Sequence, residues 1–363
     1  MERQGPSNTL NSIQLMFLIH TVPIGVGILG LVRFVADKAG HDAPLAILLS
    51  GVYTQAAVLF SWLLLRRFQT LGIYDIHRRL FGKWMGSVFS LLFAVYCLFA
   101  YFMTIRTFVE LVNTWMFPLT PVWLLTLLFM IPIVYSAFCG IRLLGRYAIS
   151  AFFLTAWIIL LAYFPLSTGT LSHLFPIGSV GLNDLFQGSL LSALSLLGVE
   201  LLLVYYPYVA YKKDVLPAAS IASWSTILVY TVIAVVTIIF FSIGQLGKTI
   251  WPMLTMFKHV QVPFIERFET IIIAVWLVQV VNTSGTYLWA GIEGVRKAIP
   301  LKKGIVYSLI AAATLPLSQM INGRAEMNLL LNLLSKSGFY LMIGYPLLLW
   351  LISLILRRKG DAS

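Results

Sequence analysis

Thr21-Val22-Pro23-Ile24-Gly25-Val26-Gly27-Ile28-Leu29-Gly30, inside the first long apolar segment, decides how the chain is read. A helix that only crosses a bilayer gains nothing from Pro23, Gly25 and Gly27 near its middle. Proline removes a backbone donor and clashes with the preceding turn. Each interior glycine costs roughly 1 kcal/mol relative to alanine. In lipid, backbone groups freed in this way must find partners or line a cavity. Two readings follow. Residues 24–27 break the span into two half-helices, and the amides at the start of the second half suit an anionic group. Alternatively the span is kinked, and its small residues let neighbouring helices approach closely.

The chain has 363 residues, of which 60% are hydrophobic and 10% charged. Soluble domains carry about 25% charged residues, so the composition indicates a polytopic membrane protein. The net charge of +12 does not point to nucleic acid, because Lys and Arg of membrane proteins collect on cytoplasmic loops. The first apolar segment is too long for a signal-peptide core and lacks a small-residue cleavage site. Cys97 and Cys139 lie in or at the end of apolar segments and imply neither a disulfide framework nor a metal site.

A span needs about 20 mostly apolar residues. That rule predicts ten, near 13–36, 43–65, 84–115, 121–139, 147–166, 186–210, 216–244, 268–290, 304–321 and 337–356. With the N-terminus inside, the cytoplasmic segments hold 17 of the 25 Lys and Arg. These are Arg3; Arg66, Arg67, Arg78, Arg79 and Lys83; Arg142 and Arg146; Lys212 and Lys213; Arg296, Lys297, Lys302 and Lys303; and Arg357, Arg358 and Lys359. Both termini are therefore expected in the cytoplasm. Residues 71–86 mix Ile73, Ile76, Leu80 and Phe81 with Arg78, Arg79 and Lys83, which suggests a short interfacial amphipathic helix with a solvated His77. Residues 245–263 are expected to fold over the outer mouth of the bundle, and 322–337 to form a polar outer loop.

Ten spans invite a division into two halves of five, 13–166 and 186–356, within one polytopic domain covering 1–363. The sixth span carries Leu197-Gly198-Val199-Glu200 at the place where the first has its Pro and Gly residues. Five spans separate the two, so the second half enters the membrane with opposite polarity. Interrupted helices at corresponding positions of two halves point to a ligand site between them. Glu200 is costly at a helix centre and must face the bundle interior. It can accept a ligand ammonium group, relay protons, or hold unwound backbone by accepting amide hydrogen bonds.

Arg106 and Glu110 share a helical face and are expected to pair or to line a polar pathway with Tyr101. Arg33 and Asp37 repeat the spacing. In the eighth span, Asn282-Thr283-Ser284-Gly285-Thr286-Tyr287 offers hydroxyls for a cation or ligand, or small residues for packing. The fifth span has no Lys or Arg to stand in for a bound cation. No nucleotide, zincin or triad motif is present, so no enzyme activity, cofactor or metal is expected.

Several of these stretches resemble the B-subunit family of spore germination nutrient receptors. They are Gly25-Val26-Gly27-Ile28-Leu29-Gly30-Leu31 with Arg33, Ala39-Gly40-His41-Asp42-Ala43, Leu80-Phe81-Gly82-Lys83-Trp84-Met85-Gly86, Leu197-Gly198-Val199-Glu200 with Pro207, and Pro263-Phe264-Ile265-Glu266-Arg267. The sequence departs at Val32 and Gln69, where the family usually has Pro, and at Pro44, where Trp is common. The resemblance implies an all-α fold like that of the amino acid-polyamine-organocation transporters. In that fold two five-helix repeats are inverted and helices 1 and 6 are broken. It implies a non-catalytic subunit in the spore inner membrane that detects a small germinant, often an amino acid, beside an A subunit and a lipoprotein C subunit. Gly25 and Gly27 would contact the ligand carboxylate. Tyr101, Gly198, Glu200, Thr283, Thr286 and Tyr287 are further ligand-binding candidates. The rival expectation is a secondary amino acid transporter coupled to protons or Na⁺.

Overall fold

A computed structural model describes residues 9–260, 267–321 and 323–356. The regular secondary structure of these residues is helical, apart from one isolated bridge between Leu10 and Val209. In chain order the α-helices are α1 (Ser12–Thr21), α2 (Ile28–Ala39), α3 (Ala43–Phe68), α4 (Ile73–Trp115), α5 (Val122–Cys139) and α6 (Ile141–Ala156). There follow α7 (Tyr163–Thr168), α8 (Leu182–Leu191), α9 (Leu202–Tyr205), α10 (Val215–Phe240), α11 (Ile243–Lys248) and α12 (Pro252–Phe257). The last four are α13 (Phe268–Ala298), α14 (Lys303–Met320), α15 (Arg324–Phe339) and α16 (Tyr345–Leu356). A π-helical turn, Tyr340–Gly344, joins α15 to α16.

The first span is broken. α1 starts in a capping box, in which Asn11 Oδ1 accepts the Gln14 amide at 2.7 Å and Gln14 Oε1 accepts the Asn11 amide at 3.0 Å. It ends at Thr21, and α2 starts only at Ile28. The sixth span is broken as well. α8 gives way to short 3₁₀ turns on either side of Gly198, and the two parts are bent by 49°. Gly198 has φ +123°, a conformation that side chains disfavour. The Leu10–Val209 bridge ties the start of the first span to the end of the sixth. Leu10 donates to Tyr208 O at 2.7 Å, and Ala210 donates to Leu10 O at 2.9 Å.

Among the described residues, seven helical runs are long and apolar enough to cross a bilayer, and the bent sixth span makes eight. The expected ten is not reached by that measure. α1 is short on its own, α2 runs on into α3, and α14 is diluted by Lys303, Pro316, Ser318 and Gln319. Around the breaks, α13 packs chiefly against α4, α1 against α10 and α6, α2 against α8, and α15 against the turn 193–196.

Three local expectations change. His77 is fully buried rather than solvated, with Nδ1 3.1 Å from Ser90 Oγ and Nε2 2.6 Å from the Tyr345 hydroxyl. The amphipathic helix does form, but Gly82 at φ +76° folds it back, so its inner face packs on the start of the third span. Residues 324–337 are helical and belong to α15, not to an outer loop. At one end of the bundle, α11 and α12 fold over it, and Trp251, Met253, Leu254, Met256 and Phe257 are buried there. The rest of that stretch, residues 261–263, lies outside the described residues, as do residues 264–266, Arg3, Asn322 and the basic residues 357–359. Gln69, where the resembled family favours proline, has φ +56°. A proline ring holds φ near −65° and cannot take that conformation.

Candidate functional site

The first break is built by its neighbours. Three of its carbonyls are met by buried side chains. Val22 O accepts Thr283 Oγ1 at 2.9 Å, Pro23 O accepts the Tyr230 hydroxyl at 2.8 Å, and Gly25 O accepts Trp276 Nε1 at 3.0 Å. Asn282 Nδ2 donates to Thr21 Oγ1 at 2.7 Å, just before the break. The Tyr230 hydroxyl also lies 2.7 Å from Ser195 O, so one phenol bridges the two interrupted spans. The amide side is different. The amides of Val26, Gly27 and Ile28 make no hydrogen bond to the protein among the described residues, whereas the Gly25 amide closes the turn 22–24. Buried backbone groups are nearly always paired, and three free amides at a helix start form an anion-binding cradle.

The cradle faces a cavity of about 70 Å³. Gly25, Val26, Gly27, Gly30 and Phe34 form one wall, and Ala100, Met103, Thr104 and Thr107 of α4 another. Leu194 and Leu197 come from the sixth span, Thr283 and Tyr287 from α13, and Leu331 and Leu334 from α15. Trp251 and Arg324 also line it. Arg324 stacks over the Trp251 ring at 4.8 Å and binds Glu110 Oε1 at 3.0 Å. The lining is mostly apolar with a few converging polar groups, the usual character of a small-molecule site.

The glycines matter by the room they leave. A Cβ on Gly27 would lie 2.8 Å from Ser195 Oγ and 3.1 Å from Ser195 Cα. One on Gly25 would lie 3.1 Å from Thr283 Oγ1. One on Gly198 would lie 2.6 Å from Val22 Cγ1. The two breaks are therefore in direct contact.

Of the residues singled out from sequence, Gly25, Gly27, Thr283 and Tyr287 line the cavity. Gly198, Glu200, Tyr101 and Thr286 do not. Glu200 is fully buried one layer behind. Its Oε1 accepts the hydroxyls of Tyr287 at 2.6 Å and Tyr96 at 2.8 Å, and its Oε2 accepts the Gly198 amide at 2.8 Å. No cationic nitrogen of the described residues lies within 4 Å of it. Of its three sequence-derived roles, this geometry favours holding unwound backbone. Tyr101 points away from the cavity and bonds Thr314 Oγ1 at 3.2 Å. A helix advances by 100° per residue, so 100, 103, 104 and 107 share the cavity face and 101 does not. Thr286 turns its hydroxyl back to Asn282 O at 2.7 Å. Gly285 serves packing, since a Cβ there would meet Ser136 Oγ at 2.6 Å.

The expected Arg106–Glu110 pair does not form. Arg106 donates instead to Ser318 O and Ile321 O, at 3.1 and 3.0 Å, and so covers the end of α14. Glu110 goes to Arg324. The freed carbonyls at a helix end outcompete a neighbour one turn away, because a guanidinium carries several donors. Arg33 and Asp37 likewise form no ion pair within 4 Å. Sequence reasoning missed Tyr230, Trp276, Trp251 and Arg324. The available signal was an aromatic side chain with a polar tip at mid-span, which must find a hydrogen-bond partner.

The sequence model of the family described as "Spore germination protein" matches residues 9–326. The chain is 31% identical to spore germination protein GerQB of Bacillus cereus over 338 residues, covering 93% of this chain and 94% of that one. It is 26% identical to spore germination protein A2 of Bacillus subtilis (strain 168) over 298 residues, covering 80% and 81%. Among solved structures it is similar to MhsT in complex with L-phenylalanine, with a TM-score of 0.58 and 12% identity over 94% of this chain and 98% of that one. It is similarly close to Mhp1, a nucleobase-cation-symport-1 family transporter, with a TM-score of 0.58 and 14% identity over 91% and 77%. At such identities the likeness concerns the fold, the transporter fold with two interrupted spans expected above. With two broken spans meeting at one cavity, and with a family match over most of its length, the chain belongs to the spore germination protein family of multi-pass membrane proteins.

Proposed function

We propose that this chain is the nutrient-sensing subunit of a spore germination receptor, and that it holds a small germinant, such as an amino acid, in the cavity between its two broken spans. One observation carries the reading: the amides of 26–28 form an unpartnered cradle, while every neighbouring carbonyl of the break named above is capped. Donors without acceptors suit a carboxylate. Thr283, Tyr287 and the α4 threonines supply the remaining polar groups. The small volume favours the smallest amino acids.

Ligand binding would draw the first and sixth spans and the Trp251–Arg324 cover together, and a partner subunit would read that shift. The A subunit and the lipoprotein C subunit are the partners in this reading. The spore inner membrane is the site, with both termini in the cytoplasm and 13–166 and 186–356 as inverted repeats. Calorimetric titration of the purified chain with a panel of amino acids tests it. The ligand that binds should lose at least tenfold in affinity as its carboxamide, and Gly27→Val should abolish binding while the protein stays in the membrane. Equal binding of acid and amide would refute the cradle.

A further inference from the structure

A second cavity lies on the other side of the first break, between α1, α2, α6, α10 and α13. Its volume is about 150 Å³, the size of an engineered protein cavity that stays dry and binds benzene. Ile24, Ile28, Ile158, Ile233 and Met253 line it together with aromatic and other apolar residues. Three buried polar residues, His20, Thr155 and Gln279, interrupt this apolar lining.

Gln279 presents a free acceptor and no free donor. Gln279 Nε2 donates to Thr155 Oγ1 at 2.7 Å, and that hydroxyl already donates to Ala151 O at 2.8 Å. The amide orientation is thereby set, and Gln279 Oε1 has no partner although the residue is 1% exposed. His20 Nδ1 lies 2.9 Å from Ser225 Oγ and 3.0 Å from Thr226 Oγ1. Either hydroxyl can give its one proton to Ala222 O or to this ring nitrogen, so His20 is held by α10 in either tautomer. A buried acceptor without a donor is costly, and Gln279 Oε1 is such an acceptor.

We infer that this cavity is a second binding site, for a small uncharged aromatic or aliphatic molecule bearing one O–H or N–H group. The apolar body packs against the isoleucines, and the donor meets Gln279 Oε1. Phe152, Ile159 and Val229 are half-buried next to the exposed apolar Phe153, Leu160 and Leu228, a face suited to lipid, so such a molecule would reach the site from the bilayer. The site is separate from the amide cradle, and Trp276 stands between the two: its indole holds Gly25 O while its ring lines this cavity.

The test uses the full chain in phosphatidylcholine nanodiscs, with 4-fluorobenzyl alcohol and 4-fluorotoluene as ¹⁹F NMR probes and empty nanodiscs as the partition control. A saturable bound resonance is expected for both probes, with the alcohol bound about three- to tenfold tighter, as one neutral hydrogen bond implies. Gln279→Leu should bring the two probes within twofold of each other. Val229→Phe should remove the bound resonance, and Ala156→Leu provides a second filler if that variant is poorly folded. Three results would overturn the proposal: no saturable signal above empty nanodiscs, equal binding of alcohol and toluene to the unmodified chain, or undiminished binding in a folded filled variant.

Discussion

Glu200→Gln is the sharpest test of how the sixth break is held. The carboxylate accepts three hydrogen bonds, two from tyrosines on one oxygen and one from the Gly198 amide on the other. Glutamine keeps only one acceptor oxygen. If that oxygen stays with Tyr96 and Tyr287, an NH₂ group faces the Gly198 N–H, donor against donor, and a buried amide is stranded. That costs about 1–3 kcal/mol, and turning two charge-assisted bonds into neutral ones adds about 1 kcal/mol. If the amide flips, Gly198 is satisfied and both phenols must find new acceptors in a buried site, at a similar cost. The total is about 2–4 kcal/mol. At roughly 2 °C per kcal/mol for a chain of this size, Tm should fall by roughly 4–8 °C. Thermal unfolding of the purified variant, followed by intrinsic fluorescence, measures this. Tyr287→Phe should then cost about 1 kcal/mol less in the Glu200→Gln background than in the native one. A Tm within 1 °C of the native value, or additive costs for the pair, would refute the holding role and return Glu200 to the proton or ligand roles.

Three further outcomes follow from the same geometry. Tyr230→Phe leaves Pro23 O and Ser195 O without their shared donor; it should destabilise by about 1–3 kcal/mol and speed amide hydrogen exchange in both breaks together, which exchange mass spectrometry reads. Gly25→Ala should weaken amino acid binding by pressing on Thr283, whose Oγ1 and Cγ2 lie 3.1 and 3.2 Å from the added carbon; the double variant with Thr283→Ser should recover part of the affinity in titration, because the methyl is gone. Glu110→Gln breaks a pair with Arg324 whose side chains are both about one-quarter exposed; stability should change by less than about 1 kcal/mol, while ligand association, followed by stopped flow, should become less sensitive to salt.

Much of the architecture was legible in the chain because its cause is local. Pro23, Gly25 and Gly27 disfavour a continuous helix wherever they fall, and Gly198 beside Glu200 does the same in the sixth span. Lipid admits few remedies for a broken helix, so the break and the cavity it borders could be read together. Boundaries followed less well. Residues 324–337 look polar, yet they coil into α15 because their inner face packs on the turn 193–196.

The partners were not legible, for a different reason. Arg106 and Glu110 stand at an ideal spacing, but each finds its mate on a segment more than 200 residues away. Tyr230 and Trp276 hold the first break from α10 and α13, and His77 is buried by a tyrosine of the last helix region. By itself the sequence determined that this is a membrane-spanning helical protein with two weakened spans. Only the tertiary structure decided which donors meet which acceptors there, because helix propensity is written along the chain whereas hydrogen-bond pairing depends on the distance between segments that the chain keeps far apart.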